Sequence, residues 1–249
     1  MNVIRFVITC TLLVAPADGA GCLVAPEPGD DTVIAREAEE TMNGLTMNGL
    51  TAKELAWNLV LTDALNSDPD ARMFFRYVVD CALPPGEAVV FPELAGQTSY
   101  TFSGGVGIAP SWGVDGGTCD STCQEWVSAC VLSRVNALGE HVSLSLRGDS
   151  AALAMSPTEP AAYAHREATY FGNVLVSPQK RYACRAETDD QALIGRVCGA
   201  GADTSACLVT VLGDCASRCR TTGNTDGFFA GCATPDDGTF VPAVTVFRR

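Results

Sequence analysis

Apolar and polar positions change period several times along the chain, and those changes divide it into elements. The run TAKE at Thr51–Glu54 has the form of a capping box, in which Thr51 accepts from the amide of Glu54 and Glu54 reaches back to the amide of Thr51. It predicts a helix to about Leu65, with Leu55, Leu59 and Thr62 on one face. NSDPD at 66–70 stops that helix and starts another, because Asp68 suits an N-cap and Pro69 the first helical position. The second helix is expected to end near Ala82, before LPPG, with Phe74, Val78 and Cys81 at helical spacing. Strands are expected at Glu87–Phe91, Ser99–Phe102, His141–Arg147, Tyr170–Val176, Arg181–Cys184, Cys207–Leu212 and Phe240–Phe247. Of these HVSLSLR alternates most cleanly, and SGGVGIAPSWGVDGG between the second and third is expected to be loop. The fold class is therefore α+β, a helical N-terminal part followed by a cysteine-rich mixed domain with irregular strands.

Composition narrows the class without changing it. The 249 residues are 47% hydrophobic and 18% charged, which excludes wholesale disorder. The net charge is -13, and Lys53 and Lys180 are the only lysines. Such a chain is repelled by phosphate backbones unless it carries a dense basic patch, and Arg181 with Arg185 and Arg218 with Arg220 are only pairs. No nucleic acid partner is expected.

The first residues, MNVIRFVITCTLLVA, join one positive charge at Arg5 to an apolar run too short to span a membrane and suited to a secretory signal. ADGAGC, ending at Cys22, then resembles the lipobox of bacterial lipoproteins. That resemblance implies removal of residues 1–21, lipidation of Cys22 and a membrane held through the lipid. Gly19 stands where that family usually has leucine, so ordinary cleavage near Ala17 or Ala20 stays open. Parity favours the lipid: of twelve cysteines, Cys10 leaves with the signal and Cys22 takes the lipid, and ten remain. Residues 22–50 read as a tether with a short repeat, TMNGL TMNGL, and residues 51–249 as a single disulfide-rich domain.

TCDSTCQEWVSAC sets Cys119, Cys123 and Cys130 close together. If 120–137 is helical, these thiols, Trp126 and Ala137 fall on one stripe. Cys123 and Cys130 are then about 10 Å apart along the axis, too far to share a zinc ion that holds sulfur at about 2.3 Å. Only Cys119 and Cys123 can share one, with His141 and His165 the only histidines available. Exported chains pair their thiols, and the C-x-x-C of a redox centre is missing. The expectation is no metal and no cofactor, with Cys81, Cys119, Cys123, Cys130, Cys184, Cys198, Cys207, Cys215, Cys219 and Cys232 all in disulfides. Cysteines four apart on a helix are poorly aimed at each other, so each is expected to reach a different partner. A second C-x-x-x-C, Cys215 and Cys219, resembles the other half of the twin C-x-x-x-C helical hairpins of small disulfide proteins. That resemblance implies Cys119–Cys219 and Cys123–Cys215 bridges, while the helical stripe itself predicts Trp126 packed among the cysteines.

Catalytic patterns are sparse. Gly148–Ser150 resembles the serine block of GDS-type esterases, but the D-x-x-H that family needs is absent around both histidines. APSWG at 109–113 approximates a nucleophile elbow without its flanking strand and helix. NSDPD approximates a calcium loop, but Ala71 takes the glycine position and Tyr77 the bidentate glutamate position. The densest segment is AHREATYFGN at 164–173, where His165, Glu167 and Tyr170 offer an acid and a base, or else form a solvated turn that feeds a strand.

The NGL repeat after the lipobox-like cysteine, CALPPG at 81–86 and CQEWVSAC at 123–130 together resemble a group of uncharacterised cysteine-rich exported bacterial proteins of lipoprotein type, with no known activity. The resemblance implies an outer-membrane, cell-surface or secreted location and no particular chemistry. The leading expectation is an envelope or extracellular module that binds a protein or glycan partner or serves structurally. The alternative is an extracellular hydrolase using His165, Glu167 and Tyr170.

Overall fold

The structure, a computed structural model, describes residues 64–91, 99–114, 116–136, 143–186, 190–198, 207–221 and 227–249. The signal, Cys22, the NGL repeat, the Thr51 capping box and His141 lie outside the described residues.

Helix α1, Pro69–Ala82, starts and stops where its local signals put it. The Asp68 carboxylate accepts from the amide of Ala71 at 3.4 Å, and Pro69 occupies the first turn. Its apolar face buries Phe74, Phe75, Val78, Val79 and Cys81. The helix end is closed by the glycine-rich segment expected to be plain loop. Gly105 N donates to Asp80 O and Leu83 O, Val106 N to Asp80 O, Ile108 N to Cys81 O and Ala109 N to Ala82 O, all at 2.7 to 3.1 Å. Those carbonyls have no partner inside the helix, so this stretch serves as its C-terminal cap. Glycine is required for the close approach at Gly104, where a Cβ would lie 2.5 Å from the backbone oxygen of Pro84 and 2.7 Å from that of Leu83. Strands β1 (Ala88–Phe91) and β2 (Tyr100–Ser103) pair antiparallel, and Phe91, Phe102 and Phe75 meet edge to face at 4.9 to 5.9 Å.

Helix α2 spans Ser121–Ser133, shorter than the 120–137 expected, and Asp120 is its N-cap, accepting from Cys123 N at 2.9 Å. The main sheet is built from β3 (Ser145–Arg147), β4 (His165–Asn173), β5 (Lys180–Arg185), β6 (Thr210–Asp214), β7 (Cys219–Arg220), β8 (Gly231–Ala233) and β9 (Phe240–Arg248). Its order is β6-β5-β4-β9-β8-β7, with β3 also on β9; all pairs are antiparallel except β5 with β6. A one-turn helix α3 (Glu159–Ala162) precedes β4, and α4 (Asp190–Cys198) makes the crossover that a parallel pair requires. No local pattern had suggested α4. AHREATYFGN is not a solvated turn. It is the central strand β4, buried from Glu167 to Asn173.

The two faces of the sheet are covered differently. Ala168, Tyr170, Ala183 and Val246 join the core with Val127, Cys130, Val131 and Leu132 of α2 and with α1. On the other face Phe171, Tyr182, Val241 and Ala243 pack with Phe229 and with Cys184, Cys215 and Cys232. Disulfides supply part of the apolar cover there.

All ten cysteines from Cys81 to Cys232 pair: Cys81–Cys130, Cys119–Cys123, Cys184–Cys215, Cys198–Cys207 and Cys219–Cys232. The chain is thus a disulfide-rich α+β protein, but the expected Cys119–Cys219 and Cys123–Cys215 bridges do not form. Two physical reasons account for this. Cys119 precedes the N-cap, so it is not on the helix, and the extended backbone at Asp120 brings its Cα to 5.1 Å from that of Cys123. Cys215 and Cys219 share no helix either: Cys215 opens the 3₁₀ turn Cys215–Ser217, and Cys219 lies on β7 directly opposite Cys232. The helix is still stapled to its neighbour, through Cys81–Cys130 between α1 and α2. Trp126 does not pack among cysteines but against Ala129, Leu153 and Val244.

Candidate functional site

Of the three acid–base candidates on β4, the structure brings two together and leaves the third apart. The pairing of β4 with β9 shifts register between Arg166 and Ala168, so Glu167 is the extra residue of a bulge. A bulge re-aims a side chain, and here it turns Glu167 into the core toward α4. There Arg196 Nε donates to Glu167 Oε1 and Oε2 at 3.2 and 3.1 Å, and Nη2 donates to Oε2 at 2.7 Å. Nη2 also donates to the Tyr170 hydroxyl, and the guanidinium lies 5.1 Å from that ring. Nη1 donates to the carbonyls of Ser133 and Val135 at the end of α2. Every guanidinium N–H therefore has an acceptor, although both charged side chains are only 2% exposed. Arg248 Nε approaches Glu167 Oε1 to 3.5 Å from the solvent side. His165 is exposed at the start of β4, opposite Arg248.

This arrangement holds elements together and leaves little for acid–base work. A general base must accept a proton from a substrate within hydrogen-bond reach, and the Glu167 carboxylate is sealed from solvent and occupied by a bidentate guanidinium. Tyr170 is fully buried. The other patterns also resolve into structure. Asp149 and Ser150 sit in the bend that ends β3, and Ser111 lies in a 3₁₀ turn held by buried Trp112, without the strand and helix of a nucleophile elbow. Asp68 is a helix cap.

Two buried polar groups were invisible in the sequence because their partners are distant along the chain. Thr169 and Thr245 hydroxyls meet at 3.0 Å across β4 and β9, and Phe229 N donates to Thr245 Oγ1 at 3.1 Å. Asn173 ties β4 to α2: Ser128 Oγ donates to Asn173 Oδ1, Asn173 Nδ2 donates to Gln124 Oε1, and Gln124 Nε2 donates to Cys119 O. Nearer the surface, Tyr182 Oη donates to Asp236 Oδ2 at 2.9 Å while Lys180 Nζ lies 3.6 Å from the same oxygen. Burial, then the Asp236 carboxylate, pushes the Tyr182 phenol up to about 12. The neighbouring Asp237 is held down at about 2 by the Thr234 hydroxyl and the Thr239 amide.

Among the described residues, the sulfurs of Cys184, Cys215 and Cys219 lie within 4.8 Å of one another, close enough to share an ion. All three are bonded as disulfides, whereas a metal requires thiolate. Among the described residues no helix is long and apolar enough to cross a membrane.

Fold and site together define a disulfide-stapled α+β domain of the extracytoplasmic kind, since five disulfides persist only where thiols are oxidised. Compared with protein-family models, with curated proteins and with solved structures, the chain matches none of them.

Proposed function

We propose that this protein is an exported envelope or extracellular module with a binding or structural role, held at a membrane surface through lipid on Cys22 or released as a secreted protein. One observation carries the reading: the side chains best suited to acid–base chemistry, Glu167 and Tyr170, are consumed with Arg196 in a solvent-sealed structural pair. A hydrolase working through them would first have to release Glu167 from Arg196. The five disulfides support the same reading, because each restricts the unfolded chain and so favours durability outside the cell. The partner is a protein or glycan surface; a chain of net charge -13 is unsuited to nucleic acid.

Intact mass of the mature protein, recovered from producing cells and measured with and without reductant, tests the location. A lipidated N-terminal Cys22 and a gain of ten hydrogens on reduction are expected for the anchored form. Cleavage at Ala17 or Ala20 without lipid identifies the secreted form, and an intact leader refutes export. The role is tested with ester, peptide and glycoside reporter substrates. Turnover that is lost in a folded Glu167→Gln variant would overturn the assignment.

A further inference from the structure

The two disulfides on the sheet face opposite α1 and α2 are in contact with each other. Cys184 Sγ and Cys219 Sγ lie 3.4 Å apart, although each is bonded to another partner, Cys215 and Cys232. Of the four residues, Cys184, Cys215 and Cys232 are fully buried, and Cys219 alone is partly exposed. We propose that these four sulfurs form one thiol–disulfide exchange site, which takes up an external dithiol at Cys219 and passes the break inward to Cys215.

The chemistry balances without a further reactant. One thiolate of the dithiol attacks Cys219 Sγ, forming a mixed disulfide and releasing Cys232 as a thiol. The second thiol of the reagent then closes on the first, leaving an oxidised cyclic disulfide and a free Cys219. Two electrons and two protons have entered the protein. Freed from Cys232, Cys219 Sγ can rotate about χ1 into line with the neighbouring Cys184–Cys215 bond, and its thiolate attacks Cys184 Sγ. A Cys184–Cys219 bond forms, the Cys184–Cys215 bond breaks, and Cys215 leaves as thiolate and takes the proton that Cys219 gave up. This last step changes no oxidation state. Contact within the fold gives the attacking sulfur a large advantage over any thiol in solution. The end state carries Cys184–Cys219, with Cys215 and Cys232 as free thiols.

Disulfide mapping of the full chain tests this, because Arg185, Arg196, Arg218 and Arg220 place the four cysteines in four different tryptic peptides. Free thiols are alkylated under acid quench before digestion without reductant. In Cys232→Ser the label should divide between Cys219 and Cys215, with a Cys184–Cys219 bridge present. In Cys215→Ser it should divide between Cys184 and Cys232, with the same bridge. Label confined to Cys219 in the first variant and to Cys184 in the second overturns the proposal. Intact Cys81–Cys130 and Cys198–Cys207 bridges report that each variant has folded. If either variant does not fold, the wild-type protein treated with limiting dithiothreitol decides. Two-thiol species labelled at Cys215 and Cys232 support the relay; label at Cys219 and Cys232 refutes it.

Discussion

Replacing Arg196 with methionine would test the structural reading of the β4 site most directly. Methionine keeps most of the aliphatic bulk but removes every donor that Arg196 supplies to Glu167, Tyr170, Ser133 O and Val135 O. Three elements lose their common tie: β4, the end of α2, and α4 itself. Breaking a buried ion pair by removing one partner costs about 3 to 5 kcal/mol, because the remaining charge is stranded. Arg248 lies 3.5 Å from the stranded carboxylate and offsets part of this, so the lower end, about 3 kcal/mol, is expected. For a protein of this size that corresponds to a fall in melting temperature of about 6 to 12 °C. Thermal and urea unfolding with the disulfides intact, followed by circular dichroism, would measure it. The double variant Arg196→Met with Glu167→Gln should recover at least about 1 kcal/mol relative to the sum of the single changes, since no charge is then left alone. Effects that simply add, or an Arg196→Met cost below about 1 kcal/mol, would refute the ion pair as a keystone of the fold.

Further outcomes follow from the staples, the helix cap and the buried phenol. Removing Cys81–Cys130, which closes a separation of 49 residues, should cost about 4 kcal/mol from loop closure, whereas removing Cys119–Cys123, with a separation of 4, should cost about 2 kcal/mol; alanine double substitutions and denaturant unfolding compare them. Gly104→Ala would drive a Cβ to 2.5 Å from the backbone oxygen of Pro84, which cannot rotate away, destabilising the fold by about 1 to 3 kcal/mol, and equal stability of variant and parent would rule out the close approach. The Tyr182 phenol holds its proton more tightly in the folded state than in the unfolded one. Its contribution to stability is therefore complete below about pH 10 and is lost as pH rises toward about 12. Ultraviolet titration of the folded protein should show one tyrosine ionising late, absent in Tyr182→Phe and earlier in Asp236→Asn.

What could be read in advance depended on how local its cause was. Helix α1 was legible to the residue because Asp68, Pro69 and the two prolines after Leu83 act within a turn of the helix. Strand β9 was legible for the same kind of reason, a run of β-branched and aromatic residues. Strand β4 was legible only from Tyr170 onward, since Arg166, Glu167 and Thr169 look like surface and Asn173 like a strand-ending turn. Each is paired with something 29 to 76 residues away or on another element: Glu167 with Arg196, Thr169 with Thr245, Asn173 with Ser128 and Gln124. The cysteine count was legible but the connectivity was not. A single N-cap, Asp120, takes Cys119 off the helix and reverses the expectation that the two thiols diverge. The candidate site was half legible. Glu167 and Tyr170 do meet, but the residue that joins them, Arg196, lies on a helix with no strong signal of its own.

Strand β9 lies C-terminal to every strand it touches, and β3, β4 and β8 all depend on it for an edge. A growing chain can make α1, its glycine cap and the β1–β2 pair early, yet the middle of the sheet must wait until residues 240–248 have emerged. Contacts of such wide sequence separation close slowly. Until then β4 has β5 for company on one side and nothing on the other, and cysteines destined for the far face are free to find the wrong mates. The order of synthesis thus makes the final strand a gate on oxidative folding: truncation before Phe240 should yield a collection of scrambled isomers instead of a slightly smaller native protein.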